Sequence, residues 1–408
     1  MNRALRALAV LCLIPLGGGR QPQSRDFAQF VDRYLDDFAR RHPSIAAGNG
    51  IHAHDDLLDD FSTAGTRAEI VALKRDQQRL RAFDPSRLTA DERVDRRILD
   101  GIIDGWLLEQ ETVQNWRHNP MIYASALTDG VHNLMTMANA PADVRARRII
   151  AKLHFLPGLF ADARANVANP PRLFAERGAS MMRGASAMLA TDVDLAFASV
   201  PSHPLRDSLH RAATSAALLV DAYATWLERD VVPRASGDYA IGAENLSRRY
   251  LAEELIDTPL DRMVSIGERE LARSQAEFRA AAQKVAPGRD PQETWRRVRL
   301  DHPKAGAVVA AAQRIVDSLA RFVSSHEIAA LPPGERVIVA TAPPFDLGFA
   351  SMHASPPLEK TPLRSIFYIS DAIPGQAPAA QEEWLERFNY ASLANTAAHE
   401  AIPGHWLH

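Results

Sequence analysis

From Phe27 onward the apolar residues recur with the period of a helix. Phe27, Phe30, Tyr34 and Phe38 fall at i, i+3, i+7 and i+11, a single stripe on a 3.6-residue repeat. Residues 48–61 lose that period and hold His52, His54, Asp55 and Asp56. They predict a solvated loop, because no third ligand of fixed geometry accompanies His52-x-His54. A capping box of Thr66 and Glu69 predicts the next helix start, with Ile70, Leu73, Leu80 and Phe83 as its apolar positions and Asp84-Pro85 as its stop. A second box, Thr89 and Glu92, opens a helix with Val94, Ile98, Ile102 and Trp106 at four-residue intervals.

Helical rhythm then continues from Val131 to Leu227, punctuated by Pro141, Pro157, Pro170-Pro171, Pro201 and Pro204. Prolines fit helix starts and connections. Met137, Met181, Met182 and Met188 read as core gap-fillers, and His118, before Asn119-Pro120, as a turn or core histidine. The connector Val231–Gly242 is the best internal boundary, dividing a helical region at 24–236 from one at 237–408. Thr258-Pro259 opens a long charged helix to about Val285. Another helix carries Val308, Ile315, Leu319 and Phe322. Beyond Leu331 the texture changes: Arg336–Ala340 and Arg364–Ile369 are β-branched or aromatic runs, the clearest strand signals. A last helix is predicted from near Gln381, packing through Trp384, Phe388 and Leu393. The fold class is therefore mainly α, a large multi-helix array with a small β-sheet preceding the last helix.

Composition changes this picture little. At 46% hydrophobic and 24% charged residues the chain is ordinary for a globular protein with a sizeable core. A net charge of −3 without a basic cluster gives no electrostatic footprint for nucleic acid. No apolar run approaches the ~20 residues of a membrane span. The N-terminus matters more. Arg3 and Arg6 precede the apolar run Ala7–Leu16 and then Gly17-Gly18-Gly19, the pattern of an export signal over residues 1–19. Cleavage there predicts a mature chain starting near Arg20, exported to the periplasm or medium. The one cysteine, Cys12, lies inside the signal, and Leu11 before it is too bulky for a good lipid-attachment site, so no membrane anchor is expected. The mature chain then has neither disulfides nor thiolate metal ligands.

Candidate chemistry gathers in His399-Glu400-Ala401-Ile402-Pro403-Gly404-His405. A His-Glu pair on a helix, with a further histidine nearby, is a zinc-hydrolase pattern: the imidazoles ligate zinc and the carboxylate takes a proton from water. The common spacing is i and i+4, which here is Pro403. His405 stands at i+6, where a regular helix leaves the two side chains roughly 120° apart. Pro403 clashes with the carbonyl of His399, and Gly404 permits backbone angles closed to other residues. Together they predict a break or bulge that swings His405 toward His399 and Glu400. The alternative is a helix that stops at Ile402 with a surface loop beyond.

The run H-E-A-I-P-G-H-x-L resembles the core signature of the bacterial domain-of-unknown-function 885 family, regarded as zinc metallopeptidases related to the gluzincins. Weaker likenesses follow in order: Asn119-Pro120 with Tyr123, the Gly237–Gly242 turn, Asp301-His302-Pro303, and Thr341–Phe345. Family members continue the signature with His and then Gln, where this sequence has Trp406 and His408. They also place a downstream Glu, in an E-G-W-A-like helix, as the expected third zinc ligand, beyond residue 408. The resemblance implies a gluzincin-like fold, Zn2+ as cofactor, a peptide substrate, His399 and His405 as ligands, and Glu400 as general base. In gluzincin-type peptidases a sheet edge strand pairs with the extended substrate, a backbone mode indifferent to side chains. A hairpin with a purely structural role is the plainer reading of the strand signals. Two readings of the whole stay open. One is an exported zinc-dependent peptidase of which this sequence holds the first half of the metal site. The other is a non-catalytic helical periplasmic binding protein, pseudoenzyme or fragment lacking the third ligand.

Overall fold

A computed structural model describes residues 22–343, 348, 350–360, 363–372 and 375–407. The predicted export signal at 1–19, with Cys12, lies outside the described residues, as do Pro344, Phe345 and His408. The chain is mainly helical. In order come α1 (Pro22–Arg41), α2 (Pro43–Gly48), α3 (Thr63–Arg81), α4 (Ala90–Leu108), α5 (Asn115–His118) and α6 (Met121–Thr136). There follow α7 (Ala142–Leu153), α8 (Leu156–Asn166), α9 (Arg172–Ala196), α10 (His203–Trp226), α11 (Ala243–Glu254), α12 (Leu260–Val285), α13 (Pro291–Arg299) and α14 (Val308–Ser325). Strands β1 (Val337–Thr341), β2 (Ala350–His353) and β3 (Ser365–Ile369) precede α15 (Pro378–Glu386) and α16 (Tyr390–Glu400).

Three large apolar cores organise these elements, beside a small one of Ala342, Ile366 and Tyr368. The first joins Phe27, Phe30 and Tyr34 of α1 to Leu73, Leu80, Leu99 and Ile103 of α3 and α4, so the predicted α1 stripe is the buried one. The largest is shared by α6 to α10 and buries Tyr123, Met182, Met188 and Tyr223. The third sets α14 and α16 against the sheet, burying Val308, Val316, Phe367, Leu393 and Ala397. In the sheet β3 is central, parallel to β1 and antiparallel to β2. Its residues are buried on both faces, as expected of a central strand.

Several local expectations differ from the structure for identifiable reasons. α3 is capped by Ser62, whose hydroxyl accepts from Gly65 N–H, not by Thr66. Thr66 and Glu69 are buried instead, and Glu69 is held by Arg41. On α4 the capping box of Thr89 and Glu92 is present. Its Val94, Ile98 and Ile102, however, are exposed, because steps of four residues drift by 40° each. α4 packs through Leu99 and Ile103 on one side. On another, Gly101 lies so close to α11 that a Cβ there would sit 2.3 Å from Ala252 O. The predicted helix from Gln381 is two helices, α15 and α16, divided at Phe388 and Asn389. α12 is long, as predicted, and mostly exposed, with Ala282 buried and Leu260, Met263 and Phe278 half-buried. Among the described residues no helix is long and apolar enough to cross a membrane.

Candidate functional site

The sequence of α16 fixes two faces. Leu393, Ala397 and Ala401 are buried against α14 and the sheet, while Ser392, Asn395, Thr396 and His399, at i, i+3, i+4 and i+7, share the polar face. Asn389 starts the helix by accepting the N–H of Ser392 at 3.0 Å, and the N–H of Tyr390 donates to Asp301 O at 3.0 Å. Beyond Glu400 the backbone does not fray into a loop. Ala401 and Ile402, both buried, donate to Ala397 O at 2.9 and 3.2 Å. The N–H of His405 then donates to His399 O at 2.9 Å, and that of Trp406 to Glu400 O at 3.3 Å. These are i+6 to i bonds, so the turn absorbs two residues more than an α-helical one.

That wide turn sets His405 above His399 as an i+4 residue would stand in a regular helix. The ring centroids are 4.8 Å apart with planes at 82°. The Ile402–Pro403 peptide is cis. Gly404 is required by close approach and not by a special backbone angle: a Cβ would lie 1.7 Å from His399 O and 2.3 Å from His399 C, and its φ is outside the left-handed region. His399 and His405 are exposed, and Glu400 is half-buried. Two imidazoles so placed fit a shared divalent ion. Zinc–nitrogen bonds of about 2.0–2.1 Å in tetrahedral geometry separate the nitrogens by about 3.4 Å, within reach of rings at this spacing. Among the described residues no group of three His, Cys, Asp or Glu side chains is arranged to hold a metal.

A family model described as a bacterial protein of unknown function, DUF885, matches residues 43–408. The chain belongs to that family. Among solved structures, the chain is similar to one titled "a putative lipoprotein of unknown function" from Shewanella oneidensis, at 22% identity and a TM-score of 0.66. The match covers 93% of this chain and 70% of that one; at such identity the likeness is one of fold. No curated protein matches this chain.

Away from the signature, this DUF885 chain has a cleft of about 1250 Å³ between the N-terminal helices and the sheet. Trp106, Ile122, His132, Met352, His353 and Glu359 are among the residues lining it. β2 therefore faces the cleft at its end and packs beside α16. His132 Nε2 and the Tyr368 hydroxyl are 3.0 Å apart in the wall, both buried. Burial, with His353 adding to it, pushes the His132 imidazole down to about 4, so it is neutral at physiological pH.

His52 also lines this cleft, and the prediction of a solvated loop is corrected there. Its Nδ1 is 2.9 Å from Asp55 Oδ2 and its Nε2 2.6 Å from Glu359 Oε1. Asp55 is 1% exposed and accepts from Arg148 at 3.0 Å. The hydrogen bond to Asp55, joined by that to Glu359, raises the His52 pKa. Lys152, equally buried, donates to Leu57 O at 2.7 Å. Nothing local in residues 48–61 signals this network, because its partners come from α7 and from the segment after β2.

The weaker motifs have structural work near these elements. Asp301 O supports the start of α16, and His302 Nε2 lies 3.1 Å from Glu382 of α15. Tyr123 is buried and donates to Trp116 O. A Cβ on Gly237 would meet Asn169 O at 2.2 Å, which docks that turn against Pro170. His118 sits at the end of α5, 3.1 Å from Ala168 O.

Proposed function

We propose that this protein is an exported, zinc-dependent peptidase of gluzincin-like organisation, with His399 and His405 as ligands and Glu400 as general base. The observation that carries the reading is the wide turn, which pairs two histidines six residues apart, with Glu400 next in sequence to the first of them. The small sheet ahead of α16, with β2 at its edge, supports it further.

Zinc at such a site supplies Lewis acidity toward a water and the scissile acyl oxygen. The protein's own part is positional and acid–base. His399 is fixed by α16, and His405 by its N–H bond to His399 O. Glu400, half-buried at the end of α16, takes the proton from the attacking water and returns it to the leaving amine. The outer edge of β2, unpaired among the described residues, offers backbone groups for an extended peptide.

The test is zinc content by mass spectrometry, with turnover of a mixed peptide library, for the full-length protein and its His399→Ala and His405→Ala variants. The proposal expects stoichiometric zinc and hydrolysis in the parent, and loss of both in each variant. A parent that binds peptides without zinc and without turnover would support the non-catalytic binding-protein reading instead.

A further inference from the structure

The polar face of α16 leads upstream from His399 into a second, shallower groove of about 620 Å³. Ser392, Asn395 and Thr396 line one side of it, and Trp295, Glu383 and Arg387 line others. Because Ser392, Asn395, Thr396 and His399 share one stripe, the groove lies in line with the signature histidine. From Ser392 to His399 the helix rises about 10 Å, the length of about three extended peptide residues.

The groove's polar groups are unevenly satisfied. Arg299 is tied to Glu386 at 2.7 Å and is spent on structure. Arg387 lies with its guanidinium carbon 5.2 Å from the centre of the Trp384 ring. It has no carboxylate within 4.0 Å among the described residues. An aromatic ring under a guanidinium holds the fork in place and leaves its edge free for a bidentate acceptor. Asn395 and Thr396, between Arg387 and His399, make no side-chain hydrogen bond within the described protein. Glu383, one turn before Arg387, is exposed and among the described residues has no ring or ion-pair partner to orient it, so it is the poorer anchor.

We infer that this groove receives the C-terminal end of a peptide, with its terminal carboxylate on Arg387 and its backbone amides on Asn395 and Thr396. This rests on the reading of His399, Glu400 and His405 as the hydrolytic centre. It makes the activity a carboxy-terminal one that removes a short piece, about three or four residues long, and not an internal cut in long chains.

Binding separates this inference from the function it rests on. Matched pentapeptides with a free or an amidated C-terminus are titrated into the full-length protein, without zinc, by calorimetry. The free acid should bind about tenfold or more tighter, as a charge-assisted bidentate contact implies. Arg387→Gln should erase that difference, while Asn395→Ala weakens acid and amide alike. Equal binding of acid and amide by the parent, or an undiminished preference in Arg387→Gln, would overturn the inference. So would a dependence on the free amino terminus, which would assign the groove's end to Glu383. Carboxylate-dependent binding without zinc-dependent turnover would leave the groove standing and remove the peptidase reading. Turnover indifferent to C-terminal amidation would do the reverse.

Discussion

Replacing Gly404 with alanine tests the wide turn with a single methyl group. The added Cβ would lie 1.7 Å from His399 O, 2.3 Å from His399 C and 2.6 Å from Ala398 O. Ordinary carbon–oxygen contacts are about 3.3 Å or more, so the two backbone segments must part by about 1.5 Å. All three obstacles are backbone atoms, and no side-chain rotation relieves them. Parting them breaks the His405 N–H bond to His399 O, worth about 1 kcal/mol net, and adds an overpacking cost of about 1–3 kcal/mol. The sum is about 2–4 kcal/mol. Ala397, Ala401 and Ile402 hold the turn's base in the core, so the turn should yield before the fold does. If His405 ligates zinc, the cost appears as affinity, and at 1.4 kcal/mol per decade it amounts to about 30- to 1000-fold. Competition with a chromogenic chelator measures it, and thermal melting should shift by only a few degrees. A Gly404→Ala variant with parental zinc affinity and parental melting would refute the close approach and the turn built on it.

Three further outcomes follow from other parts of the molecule. His52 has a raised pKa from Asp55 and Glu359, so its stabilisation is complete below the unfolded value near 6.5 and is lost as pH rises through the folded value. Melting temperatures measured across that window should fall in the parent and less steeply in His52→Gln; equal slopes would contradict the network. His132 has the opposite sign: with its pKa lowered to about 4, its contribution is present above about 6.5 and is lost as pH falls toward 4. His132→Phe, which takes no proton, should flatten that acid limb, and an unchanged limb in pH-dependent melting would argue against a buried neutral imidazole. Gly101→Ala should lower stability by about 1–3 kcal/mol through its 2.3 Å approach to Ala252 O, read by denaturant unfolding, without changing zinc content.

Where a feature rests on neighbours in sequence, it was legible. The capping box of Thr89 and Glu92, the α1 stripe and the β-branched runs of β1 and β3 all depend on residues a few positions apart. β2 escaped because Ala-Ser-Met-His has neither alternation nor β-branched residues; it is a strand only because β3 presents an edge. Val94, Ile98 and Ile102 misled for the converse reason, since α4 buries its glycine face against α11. The cleft network was invisible in the same way: His52 meets a carboxylate 307 positions away, and His132 a tyrosine 236 away. In the signature the residue types pointed to the pairing of His399 with His405. The means was misjudged, since Gly404 is needed for space and not for its backbone angle.

The most direct measurement is the turnover of a mixed peptide library by Glu400→Gln in the full-length protein, at matched zinc content. An amide at 400 can neither accept the water's proton nor return it to the leaving amine. The account therefore predicts zinc and melting as in the parent and hydrolysis reduced by about 10²–10⁴-fold. Full activity in Glu400→Gln would contradict it, because the residue beside the paired histidines would then not be the base.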